Sequence, residues 1–569
     1  MSATEELTAL DAAIGRGTRR LLELQRPDGV WVGELESNVT MTAQHLFWNH
    51  ALGLRTPDLD RRIANELTAR MRDDGTWSIW FEGPADLSTS IEAYVALRMC
   101  GVEPGPKAKE YIRSQGGIRK ARLFTKCFLA LLGQWPWQRM VPIPPELVLL
   151  PPSAPFSIYN FACWARQTFV ALALAQSLRP VRPADIDLRD IGALPGRSRT
   201  PLRRDPLRRL AQRRAEEWIR ARQEADGSWG GIQPPWVWGI IALHALGRGF
   251  DDETLRRAVE GWQGFMVDDG DRLRPEACQS PVWDTALAVL ALRACSVPAD
   301  HPQLVRAGDY LLREEVRAKG DWAVRVPDLE PGGWAFEYEN DLYPDVDDAA
   351  VVPLALRALG IGDDAVRRGL DWVVGMQSRS GGWGAFDVDS NAMWLYRIPF
   401  CDFGKVTDEP SSDVTAHALE ALAPRATTTR STAACAGSSP SRRTTAPGSG
   451  AGASTTCTGR GRRCRRSRPA GSRPTIRRCV ARSHGSTRSS RTTAASARTS
   501  ARIPTAPGGA ARRSRRPRRP PGRCSATWPQ ETLRINARGG RQIIFALSNV
   551  PTGTGTRSTS PAPDFPSTS

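Results

Sequence analysis

The chain has 569 residues, 19 of them Trp, with 40% apolar residues and a formal net charge of +18. Its length exceeds the usual single-domain range, so two domains are expected. No stretch reaches the roughly 20 apolar residues of a membrane-spanning helix. The cysteines before residue 425 (Cys100, Cys127, Cys163, Cys278, Cys295, Cys401) show neither CxxC nor Cys/His ligand spacing, which argues against a zinc module and a disulfide scaffold and suggests a reducing compartment.

The first twenty residues are charged and lack an apolar stretch, so no secretory signal is expected there. A phrase then recurs. Gln25-Arg26-Pro27-Asp28-Gly29-Val30-Trp31 is one copy, and Gln223-Glu224-Ala225-Asp226-Gly227-Ser228-Trp229 and Gln377-Ser378-Arg379-Ser380-Gly381-Gly382-Trp383 are others. Met71 to Trp77 keeps the spacing with Met in the Gln slot, and Gly332-Gly333-Trp334 ends a further copy with a longer insertion. Apolar helical stretches precede the Gln (Leu21, Leu22 and Leu24; Trp218 and Ile219), and Gly ends each helix because it accepts the left-handed conformation. The unit is helix, Gly-rich turn, Trp, and it is followed by a further helix such as 88–97, 282–293 or 348–359. Units of this kind stack as helix pairs, each burying its apolar face against its neighbours. The Gln–Trp pair is expected to staple outer helices together, the amide lying against the indole and bonding a neighbouring helix end, and to take no part in chemistry.

Residues 124–155 combine a helix-like apolar run with Trp135, Trp137 and Arg139, then Leu147-Val148-Leu149-Leu150-Pro151-Pro152. Aromatic and basic residues side by side suit a membrane interface; a buried helix followed by a Pro-rich loop fits the same composition. Further on, Asp345-Val346-Asp347-Asp348 places three carboxylates in four residues, with Asp341 just upstream. Such charges cannot all ionise once buried, so a proton is held with a raised pKa. That suits protonation of something as unreactive as a carbon–carbon double bond; a helix cap is the plainer use of the same residues.

The composition breaks near Arg425. From there on the chain holds 29 Arg, no Lys and two acids (Glu531, Asp564), a net of +27, which leaves residues 1–424 at −9 (+18 less +27). A basic arm for nucleic acid or an anionic membrane would look like this. Arg without Lys among Ala, Gly, Pro, Ser and Thr is also what a GC-rich gene yields when read out of frame. Shifted by one nucleotide, 444–461 can read as Asp-Asp-Gly-Ser-Trp, a further copy of the repeat, and 435–442 as the helix and Gln before it. The second reading is preferred, and the tail after about 424 is expected to be irregular.

Taken together, Ser280-Pro281-Val282-Trp283-Asp284-Thr285, Gly333-Trp334-Ala335-Phe336, Tyr343-Pro344 with the acidic cluster, Phe400-Cys401-Asp402-Phe403-Gly404, Ser412-Asp413-Val414-Thr415-Ala416-His417 and the Gln–Trp repeats resemble the bacterial squalene–hopene cyclases over residues 1–424. The resemblance implies an all-α fold of two α/α barrels (α6–α6 type) enclosing an apolar cavity. Residues 1–20 would pack on the catalytic barrel, 21–265 would form the inserted barrel with the membrane-contact segment, 266–424 the incomplete catalytic barrel, and 425–569 the out-of-frame tail. It implies proton-initiated polycyclisation of squalene, no metal or organic cofactor, a homodimer, and a peripheral place on the cytoplasmic face of the membrane.

By the same resemblance Asp347 is the proton donor, Asp345 and Asp348 are the flanking anions, His417 bonds the donor, and Asp413 helps set that network. Trp164, Trp283, Phe336 and Phe386 line the cavity, where aromatic faces stabilise cations without capturing them. Glu92, Gln233, Pro234 and Lys126 form the polar patch that takes the final proton, with Lys126 where the family more often has Arg. The family's Phe-Gly-Arg-Trp-Gly phrase and C-terminal aromatic cluster are absent as written. A class II cyclase of another polyprene would share the acid cluster, and the basic tail alone would suit an inactive nucleic-acid or membrane-binding product. A barrel-type prenyltransferase subunit would need a zinc site that the sequence does not offer.

Overall fold

Two kinds of helix make up the chain. The computed structural model describes residues 3–194, 205–398, 401 and 404–423, and the backbone of 532–537 and 541–546. After α1 (Ala3–Glu23) come α2 (Val39–Leu52), α3 (Pro57–Ala69), α4 (Leu87–Met99), α5 (Pro106–Ser114), α6 (Leu123–Leu131), α7 (Cys163–Leu178), α8 (Pro206–Arg220), α9 (Gln233–Ala245) and α10 (Glu253–Trp262). A two-stranded antiparallel ribbon, β1 (Met266–Asp268) with β2 (Leu273–Pro275), leads to α11 (Pro281–Ala294), α12 (Pro302–Arg313), α13 (Val346–Leu359) and α14 (Asp363–Gly375). A further helix, α15, spans 412–423.

Helices α2, α4, α6, α7, α9, α11 and α13 are buried around most of their circumference, whereas α3, α5, α8, α10, α12 and α14 bury one stripe. Composition dictates this. A segment apolar on every side, such as Trp236-Val237-Trp238-Gly239-Ile240-Ile241 in α9, must be surrounded, while an amphipathic one can face water. Inner helices pack on inner helices, α2 on α4, α7 on α9 and α11 on α13, and each outer helix lies over an inner one. This two-layer arrangement is the expected α/α layering. α1 packs on α11.

The staples have the expected geometry. The indole N–H groups of Trp31, Trp77, Trp229 and Trp383 donate to Leu21 O, Leu67 O, Ile219 O and Val373 O, each ten residues back, at 2.7, 2.8, 2.7 and 2.6 Å. Each thus satisfies a carbonyl near the end of the preceding outer helix. Trp334 reaches back to Leu311 O in α12, as its longer insertion requires. The Gln25 amide donates to Gly29 O and to Gln303 O in the first turn of α12; that of Gln223 donates to Gly227 O and to Thr254 O in the first turn of α10. Gly29 and Gly227 have φ of 95° and 93°, and a Cβ there would meet the Arg306 and Arg257 carbonyls of those same outer helices at 2.8 and 2.1 Å. The glycines set both the turn and the closeness of the next helix.

The structure decides one open reading and adds one element. Trp135 and Trp137 are buried, with the Trp137 indole donating to Pro180 O at 3.0 Å, so neither is an interfacial aromatic. Two large rings gain more from the core next to α6 than from a membrane boundary. The apolar surface that stays open nearby belongs to Val141, Phe156, Met393 and Trp394, with the Phe156 and Trp394 rings 5.0 Å apart, while Leu147 to Leu150 are half-buried. No helix among the described residues is long and apolar enough to cross a membrane. The expectation of an irregular tail falls mostly outside the described residues. Within it, β3 (Thr532–Ala537) pairs antiparallel with β4 (Arg541–Ala546), an element that was not foreseen.

Candidate active site

α13 begins at the acidic cluster. Asp345 is its N-cap, with extended backbone (φ −113°, ψ 159°) and a side chain that accepts from the Asp348 N–H at 2.8 Å. Asp347 and Asp348 fill the first turn, where the helix dipole favours carboxylates. The cap and the acid cluster are therefore one object. Its position is fixed from both sides, because the Asp345 N–H donates to Trp334 O at 2.9 Å and the Val346 N–H to Ala385 O at 2.8 Å.

Asp345 and Asp348 are buried and Asp347 is half-buried. Burial pushes the Asp345 carboxyl up to about 7, with the charge of Asp347 raising it further, and lifts Asp348 well above the carboxylate range, with Asp345 and Asp347 raising it further. Asp345 Oδ2 and both Asp348 side-chain oxygens find no hydrogen-bond partner among the described residues. A buried pair of this kind keeps a proton near neutral pH. Asp284 on α11 adds to the field at Asp348. It accepts from the Gly33 N–H and the Ser280 hydroxyl, and burial raises it to about 6.

His417, on α15, brings Nδ1 to 2.8 Å from Asp347 Oδ1. Its ring lies 5.6 Å from that of Trp283, tilted by 52°. The expected donor, histidine and one cavity aromatic are thus brought together from α13, α15 and α11. Asp413 accepts from the Ser411 hydroxyl at the start of α15. Trp164 and Phe386 meet edge to face with centroids 6.0 Å apart, and Trp164 also borders the apolar cluster that Phe336 packs against. Trp164, Trp283, Phe336, Asp347 and His417 all keep partial exposure. Partial exposure in so buried a surrounding suits side chains that line an internal space.

A second buried carboxylate stands apart from the first. Glu92 on α4 accepts from the Gln44 amide at 2.6 Å and from the Thr125 hydroxyl, and the Gln233 amide donates to Gln44 Oε1 at 2.6 Å. Burial raises Glu92 to about 7 even though both hydrogen bonds oppose the shift. Pro234, in the first turn of α9, and Lys126, beside Thr125 on α6, are half-buried. Gln44 and Thr125 were missed from the sequence. The available signal was Gln44 itself, an amide on a helix buried on nearly every side. The network could not be read because its members are 33, 48 and 189 positions apart.

Residues 14–200 and 195–271 match the squalene-hopene cyclase N-terminal domain, and residues 279–438 match the squalene-hopene cyclase C-terminal domain. The chain is 44% identical over 454 residues to the squalene–hopene cyclase of Alicyclobacillus acidocaldarius, covering 73% of this chain and 71% of that protein. It is 34% identical to the squalene–hopene cyclase of Zymomonas mobilis, over 73% and 70% of the two chains. Enfumafungin synthase of Hormonema carpetanum is 35% identical over 70% of this chain, which spans only 34% of that longer protein. Both halves of the described structure are thus accounted for, and this chain belongs to the squalene–hopene cyclase family.

Proposed function

We propose that the chain carries the machinery for proton-initiated polycyclisation of squalene to hopene-type pentacyclic triterpenes. The observation that carries this is the cluster at the start of α13: two buried carboxyls crowded together, which between them keep a proton near neutral pH, and beside them a half-buried Asp347 in contact with His417. An imidazolium N–H donating to Asp347 Oδ1 withdraws electron density from the carboxyl. The proton on Oδ2 then becomes acidic enough to pass to a terminal alkene carbon. Trp283, Trp164, Phe386 and Phe336 offer π faces to the cations that follow, each worth roughly 0.5–2 kcal/mol, and an aromatic face holds a cation without bonding to it. The Glu92–Gln44–Gln233 chain supplies the acceptor that takes the last proton, directly or through water. One proton enters and one leaves, so the product is an isomer of squalene.

Membrane contact, a homodimeric state and a place on the cytoplasmic face belong to the same proposal. The open Val141, Phe156, Met393 and Trp394 surface beside the Pro-rich segment supports the first. The Arg-rich sequence after 425 is read as a one-nucleotide shift, so the family's C-terminal cavity wall is missing and turnover is low as written. Squalene in detergent micelles, offered in heavy water, gives a pentacyclic hydrocarbon one mass unit heavier than squalene. Restoring the frame near codon 425 raises the yield. A frame-restored chain that makes no cyclised product, or a product without deuterium, overturns the assignment.

A further inference from the structure

One short segment holds both members of the Trp164–Phe386 pair. Residues 405–408 pass between the start of α7 and the turn at 385–387. The Trp164 indole donates to Lys405 O at 2.9 Å, and the Ala162 N–H, just before α7, donates to Val406 O at 2.9 Å. Two residues on, the Asp408 carboxylate accepts three backbone N–H groups in a row: Ala385 at 3.0 Å, Phe386 at 2.7 Å and Asp387 at 2.8 Å. The Asp408 N–H is itself held by the Ser390 hydroxyl at 3.1 Å. Gly384 leaves room for this, since a Cβ there would lie 2.6 Å from Asp408 O.

The same turn reaches the acid helix and α7. Ala385 O accepts from the Val346 N–H, one residue before Asp347. Asp387 accepts from the Cys163 N–H, one residue before Trp164, and pairs with the buried Arg166 at 3.0 Å. A buried carboxylate that gathers three N–H donors from one turn defines that turn's position closely. The ring it carries has no polar atom of its own to fix it.

We infer that Asp408 is a positioning residue: its carboxylate sets the placement of the Phe386 ring against Trp164 and the start of α13, and so sets how well the site stabilises a carbocation. This rests on the cyclase reading above. Asp408 touches no reacting atom. It acts through Phe386, and losing it misplaces the ring without removing it.

The test compares two probes on the full chain: a polyprenyl tertiary ammonium, which mimics a carbocation, and its neutral all-carbon isostere. The parent chain binds the ammonium more tightly. Asp408→Asn, which keeps the shape and removes the acceptor from at least one N–H, lowers that preference about tenfold and shifts the neutral probe's Kd less than twofold. Phe386→Leu lowers it by a similar factor, and the double variant is no worse than either single one, because both act through one ring. Ser390→Ala loosens the same junction more gently and lowers the preference about threefold, which covers the case in which Asp408→Asn fails to fold. Preference retained in the Asp408 and Ser390 variants, or additive effects of Asp408→Asn and Phe386→Leu, overturns the positioning role and leaves the cyclase reading standing. Absence of any ammonium preference in the parent chain defeats that reading and this inference together.

Discussion

The two buried carboxylate sites use the same residue chemistry to opposite ends. At the start of α13 three aspartates crowd together, several of their oxygens lack donors among the described residues, and a histidine touches the one that is half-exposed. On α4 a single Glu92 is fully buried, yet an amide and a hydroxyl satisfy it. Both include a carboxyl raised to about 7. In the first site like charges add to desolvation, so the cluster stays loaded with a proton near neutral pH. In the second, desolvation works against ready-made donors, which favours a group able to take a proton at modest cost. The raised value alone therefore does not separate donor from acceptor; the neighbours do.

The sharpest way to break this distinction is to neutralise each site. Asp347→Asn in a frame-restored chain should lower squalene turnover by about 10³-fold or more, because the amide has no acidic proton to give. Gas chromatography of extracted product measures it, and unchanged far-UV circular dichroism shows that the helices persist. Glu92→Gln should cost about tenfold at most and shift the products toward early-terminated or hydrated species, since it alters how the reaction ends. Equal losses at both positions would erase the difference in role. His417→Phe should fall between them, at about 10²-fold, and should change the pH–rate profile.

Stability against pH reports what the two sites share. Glu92 titrates near 4.5 when unfolded and near 7 when folded. Between those values the folded state holds a proton that the unfolded state has lost, so stability falls as pH rises, at about 1.4 kcal/mol per pH unit for one such group. Its contribution is fully present below about 4.5 and is lost once pH passes about 7, a total on the order of 3 kcal/mol. Asp345, Glu276 and Asp408, also raised to about 7, add slopes of the same sign. Denaturant melts of Glu92→Gln at several pH values should show the parent slope reduced by one proton. An unchanged slope would mean that Glu92 ionises freely in the folded chain.

The sequence made much of this legible, for identifiable reasons. The Gln–Trp repeat could be read because each turn is local: Trp, Gly and Gln lie within seven residues, and the indole reaches a carbonyl ten residues back. The acid cluster was legible for the same reason. The aromatics were placed only through the family resemblance, since nothing local distinguishes Trp164 from Trp238. The Gln44 and Thr125 partners of Glu92, and the grip of Asp408 on 385–387, depend on helices and loops brought together only by folding. Trp135 and Trp137 were left open because an aromatic beside Arg suits both a membrane boundary and a core, and composition cannot choose between them.

The smallest effect tests the framework that both sites share. The buried Gln223 amide joins its own turn to α10 by two hydrogen bonds, whereas the exposed Gln377 amide bonds only Gly381 O among the described residues. Gln223→Ala would leave the Gly227 and Thr254 carbonyls without that donor in a dry environment, at a cost of about 1–2 kcal/mol. Gln377→Ala leaves its carbonyl near water and should cost about 0.5 kcal/mol. Denaturant midpoints measure both. Neither change should move the pH window of stability or the ratio of products, because a staple holds helices and carries no proton. Should Gln223→Ala alter the product ratio while leaving the midpoint alone, the repeat would have a part in the chemistry, and the division between the scaffold and the two carboxylate sites would have to be redrawn.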